Sequence, residues 1–469
     1  MLDIDDQTKS AERILAFRDE QGDVAQDFVQ AVADAIDAGD ADRAQELVRP
    51  LHEADQGALI EALPADVRAR LIELLGDVFD FAALTEVDDS VREELLEELP
   101  TETVIEGVKD LESDDAVYIL EDLDKEDQDE ILEGLPATER IALQKSLDYP
   151  EDSAGRLMQT ELVAVPPFWT AGQTLDHLHA TEDLPDSFFE IFVVDPGHRL
   201  LGQIFLDKLV RSPRIARVDT LMNTERRRVH ATDDQEQVAR VFERYNLVSA
   251  PVVDEAERLV GVITIDDVVD VIQEEADEDV KALGGVSSEE ELSDRVATIA
   301  RSRFVWLFVN LITAFIASAV LGLFEGQLQK MVALAVLAPI VASQGGNAAT
   351  QTMTVAVRAL AVRELGAGNA LRVTLRESFV GLINGIGFGL LTGLVASIWF
   401  HDWNIGLVIC IAMLVNLVAG ALGGILIPLT LEKFGADPAV SSGVFVTTVT
   451  DVVGFFAFLG IATLWFGLS

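Results

Sequence analysis

From about residue 20 to residue 148, apolar positions recur at helical spacing among acidic ones, and a Leu-Pro pair returns every 36 residues, at Leu63-Pro64, Leu99-Pro100 and Leu135-Pro136. The stretches before the pairs align as Leu51 to Ile60, Val87 to Leu96 and Leu123 to Leu132. Such a repeat predicts stacked helical hairpins, in which each proline opens a helix and each unit buries its neighbour's apolar face. After Tyr149-Pro150 the period shortens. Phe189 to Val194 with Leu200 to Phe205, and Ala250 to Val253 with Leu259 to Thr264, read as paired strands joined by turn residues and flanked by amphipathic helices. A helix from about Ser288 to Arg301 then leads into five apolar stretches, 304–324, 331–355, 378–400, 405–431 and 443–467, each long enough to cross a bilayer. The pattern predicts a multidomain membrane protein: an α-solenoid N-domain (1–148), a tandem α/β pair (149–275), a connecting helix (276–303) and an all-α transmembrane bundle of five helices (304–469).

Charge sharpens this division. Residues 301–469 hold 7 acidic and 8 basic side chains, which leaves 74 acidic against 26 basic in the first 300, so nearly all of the net charge of −47 is N-terminal. That field opposes nucleic acid and anionic lipid and favours cations, although adaptation to a salty cytosol would also produce it. The single cysteine, Cys410, lies in an apolar run and excludes a disulfide framework. The first 40 residues are acidic and amphipathic, so no signal peptide is expected. Arg358, Arg363, Arg372 and Arg376 sit between the second and third apolar stretches, whereas His401 to Asn404, between the third and fourth, carry no Lys or Arg. The excess of positive charge places the N-terminal domains in the cytoplasm and the C-terminus outside a multi-pass cell membrane protein.

Candidate chemistry is concentrated in a few places. Asp451 lies inside the fifth apolar stretch, where an ionisable group costs roughly 2.5 to 3.5 kcal/mol unless it faces a partner or a water-filled path. Gly443, Thr447 and Asp451 stand at i, i+4 and i+8 on one helix face, and Gln344, Asn347 and Gln351 share a face of the second stretch. The fourth adds Asn416, Gly420 and Gly424, and the third has glycines at 381, 385, 389 and 393 for close helix contact. In the cytosolic part, Asp267, Asp270, Glu274 and Glu278 form a carboxylate stripe that repels itself without a counter-ion, and hard divalent cations suit such oxygen donors.

The strand pairs resemble a tandem pair of CBS domains, a regulatory module that often binds adenine nucleotides. The second copy keeps a Gly-x-x-Thr-x-x-Asp ending as Gly261, Thr264 and Asp267, whereas the first has Phe205 and Lys208 at the matching places, so ATP is expected at Thr264 and Asp267. The whole order resembles the MgtE family of magnesium channels, most specifically through Tyr149 to Met158, Glu275 to Asp279, Gly345-Gly346-Asn347 with Gln351, and Asp437-Pro438-Ala439 through Thr450-Asp451. That resemblance implies a non-enzymatic homodimer with its pore between protomers and Asp451 contacting hydrated Mg²⁺. It also implies a gate closed by cytosolic Mg²⁺ at Glu236, Asp267, Asp270, Glu275 and Glu278, and more weakly at Asp114 and Asp115. In this reading the hydroxyls of Thr447 and Thr450 accept hydrogen bonds from the water shell of the ion. Ala349, Val444 and Asn246 depart from residues common in the family. The rivals are a proton-coupled divalent cation exporter, with Asp451 as a proton relay, and a membrane-anchored nucleotide sensor.

Overall fold

The structure is a computed structural model that describes residues 16–121, 123–181, 184–185, 187–225, 227–287, 290, 296–366 and 368–468, without the side chains of 440–442. It divides into two compact units, Met1–Gln273 and Glu274–Ser469.

In the first unit, the Leu-Pro repeat is a helix junction. Leu63, Leu99 and Leu135 end the helices Glu53–Ala62, Asp89–Glu98 and Lys125–Gly134 in extended conformation, and the prolines precede Ala65–Leu75, Thr101–Lys109 and Ala137–Leu147. A residue before proline is pushed out of the helical region, which is why each leucine marks the corner. All three leucines are buried, so the corner is also a core position. The interspersed helix Ser113–Glu121 buries Ala116, Val117, Ile119 and Leu120 in the same core.

The CBS-like part contains two three-stranded sheets of one topology. β1 (Ala164–Val165) runs parallel to β2 (Glu190–Val194), which pairs antiparallel with β3 (Leu200–Phe205); β4 (Val229–His230), β5 (Ser249–Val253) and β6 (Leu259–Thr264) repeat the order. The two-residue strands β1 and β4 are too short to give a periodicity and are absent from the sequence expectation. The copies exchange edges: Gln159 bridges to Val262 of β6, and Asn223 bridges to Gln203 of β3. Gly261 is the residue that permits the first exchange, because a Cβ there would lie 2.8 Å from the Gln159 carbonyl oxygen. After β6 a single helix, Ile265–Gly284, carries the acidic run. The connecting helix expected from Ser288 falls largely on residues 288–289 and 291–295, outside the described residues; Val296 to Arg301 already belong to the first membrane helix.

Among the described residues, the second unit holds five helices long and apolar enough to cross a membrane: span 1 (Val296–Leu323), span 2 (Val332–Ala361), span 3 (Ala370–Phe400), span 4 (Trp403–Lys433) and span 5 (Pro438–Phe466). Span 4 is the central one, with buried residues from Ile405 to Pro428. The glycines of span 3 pack directly on it. A Cβ at Gly389 would lie 2.8 Å from the Cys410 carbonyl oxygen, and one at Gly393 would lie 2.7 Å from that of Gly406. On its other side, Gly420 and Gly424 of span 4 admit span 2 to similar distances, 2.8 Å from Gly345 O and 2.6 Å from Ala349 O. Ala349, one of the departures, is fully buried at this contact.

Candidate functional site

Two regions collect the chemistry, one in each unit. In the membrane unit, Asp451 sits half-buried on span 5 and forms no hydrogen bond or ion pair among the described residues. Thr447, one turn earlier, is exposed; its hydroxyl donates to Gly443 O at 2.9 Å, which leaves its oxygen lone pairs outward. Thr450 differs from expectation. It is fully buried with its hydroxyl 2.9 Å from Thr447 O, because at one residue's offset, about 100°, it turns inward rather than along the Asp451 face. On span 2, Asn347 and Gln351 are exposed and Gln344 is partly buried, so the polar face seen in the sequence is an outward surface of the single chain. Asn416, which repeats in span 4 the polar theme of span 2 beside Gly420 and Gly424, faces inward. It is fully buried between spans 2 and 5, and its Nδ2 donates to Val341 O at 2.8 Å.

In the first unit the structure draws together Asp114 and Asp115 from the helical domain and Asp267 from the CBS-like part. Asp114 is 8% exposed, and burial, then the charge of Asp267, pushes its carboxyl well above the usual range. Asp115 is raised to about 7, first by burial and then by Glu112, Glu53 and Asp266. Asp267 is likewise raised to about 7, chiefly by burial, although Thr264 opposes this by donating from its hydroxyl at 2.7 Å and from its backbone N–H at 3.3 Å. Asp270, on the same helix face, is raised by partial desolvation and by Asp266, and Glu86 is raised first by burial and then by the charge of Asp270. Among the described residues no three acidic or imidazole side chains stand as a ready metal cage. The site is therefore an acidic neighbourhood whose all-oxygen donor set fits a hard, hydrated divalent cation. Glu275 and Glu278 lie further along the helix, both partly buried, and Glu236 stands apart, paired with Arg240 on the helix Gln235–Tyr245. Asn246 ends that helix in the left-handed conformation, a position that asparagine tolerates and that explains its presence there.

Polar contacts fasten the helical domain to the CBS-like part beside these carboxylates. Ser113 Oγ donates to Glu161 at 2.7 Å, Gln159 Nε2 to Glu112 at 2.8 Å, and Arg156 pairs with Glu121 at 3.0 Å. Next to them a cleft between the two sheets is lined by Gln159, Glu161, Phe189, Glu190, Ser249 and Thr264, among others. Ser249 is 4% exposed, and its hydroxyl has no partner among the described residues.

Comparison with known proteins gives a consistent picture. Family models match residues 51–152 (MgtE intracellular N domain), 218–274 (CBS domain) and 338–461 (divalent cation transporter). The magnesium transporter MgtE of Bacillus subtilis (strain 168) is 30% identical over 419 residues, covering 89% of this chain and 92% of the relative. The chain belongs to the MgtE family. Its N domain is accordingly cytosolic, its five long helices are membrane spans, and it transports Mg²⁺ and is not an enzyme. The MgtE of Thermus thermophilus is 37% identical over 320 residues, 67% of this chain and 70% of that one. A crystal structure of the cytosolic domain of the Mg²⁺ channel MgtE in complex with ATP is 31% identical, with a TM-score of 0.49, covering 52% of this chain and 99% of that one. Family membership removes the reading as a tethered nucleotide sensor without transport.

Proposed function

We propose that this MgtE-family protein imports Mg²⁺ as a homodimer, along a path between protomers lined by Asp451, and that cytosolic Mg²⁺ bound among its N-terminal carboxylates closes the path. The observation that carries the regulatory half is the crowding of Asp114, Asp115 and Asp267 where the helical and CBS-like parts meet, each raised first by burial and then by neighbouring acids: Asp267 and Asp115 beside Asp114, Glu112, Glu53 and Asp266 beside Asp115, and Asp266 and Asp115 beside Asp267. Carboxylates that repel across a junction hold it apart when ionised, and a bound divalent cation supplies the charge that joins them. Asp270, Glu275 and Glu278 extend the acidic surface along one helix, and Glu236 enters only by giving up Arg240. Because a ligand shifts an equilibrium only by its differential affinity, the closed state must hold more Mg²⁺ than the open one. For permeation, Mg²⁺ parts with water reluctantly, so two Asp451 carboxylates with exposed Thr447 hydroxyls suit an ion that keeps its water shell. The arginines at 358, 363, 372 and 376 support a C-terminus outside the cell. Mg²⁺ flux into liposomes, with and without a proton gradient, tests the reading. Flux that needs the gradient would favour the proton-coupled rival.

A second reading is favoured by Ser249. A buried hydroxyl without a partner costs about 1–3 kcal/mol, and this one lines the cleft that also holds Thr264, which supports ATP as a ligand there. Asp267, already accepting from Thr264, is shared by the nucleotide and Mg²⁺ readings. Calorimetry with ATP tests it, and absence of heat from wild-type protein would remove it.

A further inference from the structure

Among the described residues of the membrane unit, Asn416 on span 4 is, with Thr450, a fully buried polar residue, 0% exposed. Its Nδ2 donates to Val341 O of span 2 at 2.8 Å, and its Oδ1 has no partner among the described residues. The amide fills a slot made by two glycines on two different helices. A Cβ at Gly345 of span 2 would come within 2.0 Å of Nδ2, and one at Gly454 of span 5 within 2.7 Å. No larger residue fits at either glycine while Asn416 keeps its place. Gly345 lies two residues before Asn347, and Gly454 lies three after Asp451. At a rise of about 1.5 Å per residue, the wedge is thus within about 5 Å along each helix axis of the polar groups that face outward from spans 2 and 5.

A lone buried acceptor in a membrane core is a cost, about 1–3 kcal/mol, that an apolar residue of the same size would remove. Its place where spans 2, 4 and 5 pack together calls for a role that leucine would not perform. We infer that Asn416 is a positioning residue for ion selection: through its bond to Val341 O and its fit against Gly345 and Gly454, it sets the spacing between the helices that carry Asn347 and Asp451. It touches no ion itself. The inference rests on the reading of Asp451 as a lining residue of the ion path, and a path that recognises a hydrated ion by size depends on that spacing.

Asn416→Leu in the full-length protein tests it, because it keeps the branching of the side chain, with two methyls in place of the amide's oxygen and nitrogen, and deletes both the hydrogen bond and the orphan oxygen. The expected result is a protein that still inserts, together with a fall on the order of fivefold in the ratio of Mg²⁺ to Ca²⁺ flux into liposomes. A residue that only packs would leave the ratio unchanged, and that outcome overturns the inference. Should Asn416→Leu not insert, Asn416→Ser, which keeps a donor for Val341 O and shrinks the wedge, is measured by the same ratio with the same two outcomes. Asp451→Asn in the same assay separates the two claims. Wild-type flux there defeats the reading of Asp451, whereas lost flux there with an unchanged ratio in the Asn416 variants defeats only the positioning role.

Discussion

Asp451 lies in an apolar helix and Asp267 in an acidic one, and their surroundings assign them different work. Asp451 has no partner among the described residues, so Asp451→Asn or Asp451→Ala removes a charge without orphaning a neighbour and eases insertion by roughly 2.5 to 3.5 kcal/mol. The expectation is a protein that expresses and assembles as wild type but takes up no Mg²⁺ in a liposome flux assay; wild-type uptake would end its assignment to the path. Asp267 instead holds Thr264 at 2.7 Å beside the cleft. Asp267→Ala should weaken ATP binding about tenfold or more in calorimetry, in keeping with one lost charged hydrogen bond, whereas Lys208→Ala, whose ammonium is spent on Leu221 O at 2.6 Å, should change it little. Equal losses in the two variants would argue against a site centred on the second copy.

At the scale of single elements, the helix Ile265–Gly284 and the Leu-Pro corners carry the testable claims. If the carboxylates of that helix answer to cytosolic Mg²⁺, Glu275→Gln and Glu278→Gln should shift Mg²⁺-driven compaction, followed by scattering radius and protease resistance at constant ionic strength, to higher concentration from a midpoint on the order of a millimolar. Identical curves for wild type and variants would relieve both residues of that role. At the corners, Leu99→Ala deletes a side chain 5% exposed in the core of the stacked helices and should cost about 2–5 kcal/mol in urea unfolding. The corners were plain in the sequence because proline acts on its neighbour locally, and the strands β2, β3, β5 and β6 were plain because their apolar runs are long enough to count. β1 and β4 were not, since two residues have no period and exist as strands only by pairing with β2 and β5.

For the molecule as a whole, buried acids link pH to the cytosolic assembly. Asp115 and Asp267 are raised to about 7 from an ordinary value near 3.8, so each favours the folded arrangement while it keeps its proton. That contribution is whole below about pH 4 and is lost as pH rises through 7. Without divalent cations, the helix Ser113–Glu121 of the full-length protein should lose protection from hydrogen exchange, corrected for intrinsic rate, between pH 5.5 and pH 8, and millimolar Mg²⁺ should restore it. Protection that is flat or rises with pH would contradict the repulsion invoked here. The sequence alone determined the order of domains, the five spans, the Leu-Pro repeat and the candidate status of Asp451, because each depends on local spacing or on the cost of a charge in an apolar helix. The tertiary structure alone decided which acids meet. Asp114 and Asp115 stand about 150 residues from Asp267, and Glu236, nearer in sequence, is turned to Arg240. It also decided that Thr450 faces inward and that Asn416 fits between Gly345 and Gly454, since burial and contact across helices are properties of packing that no periodicity within one helix records.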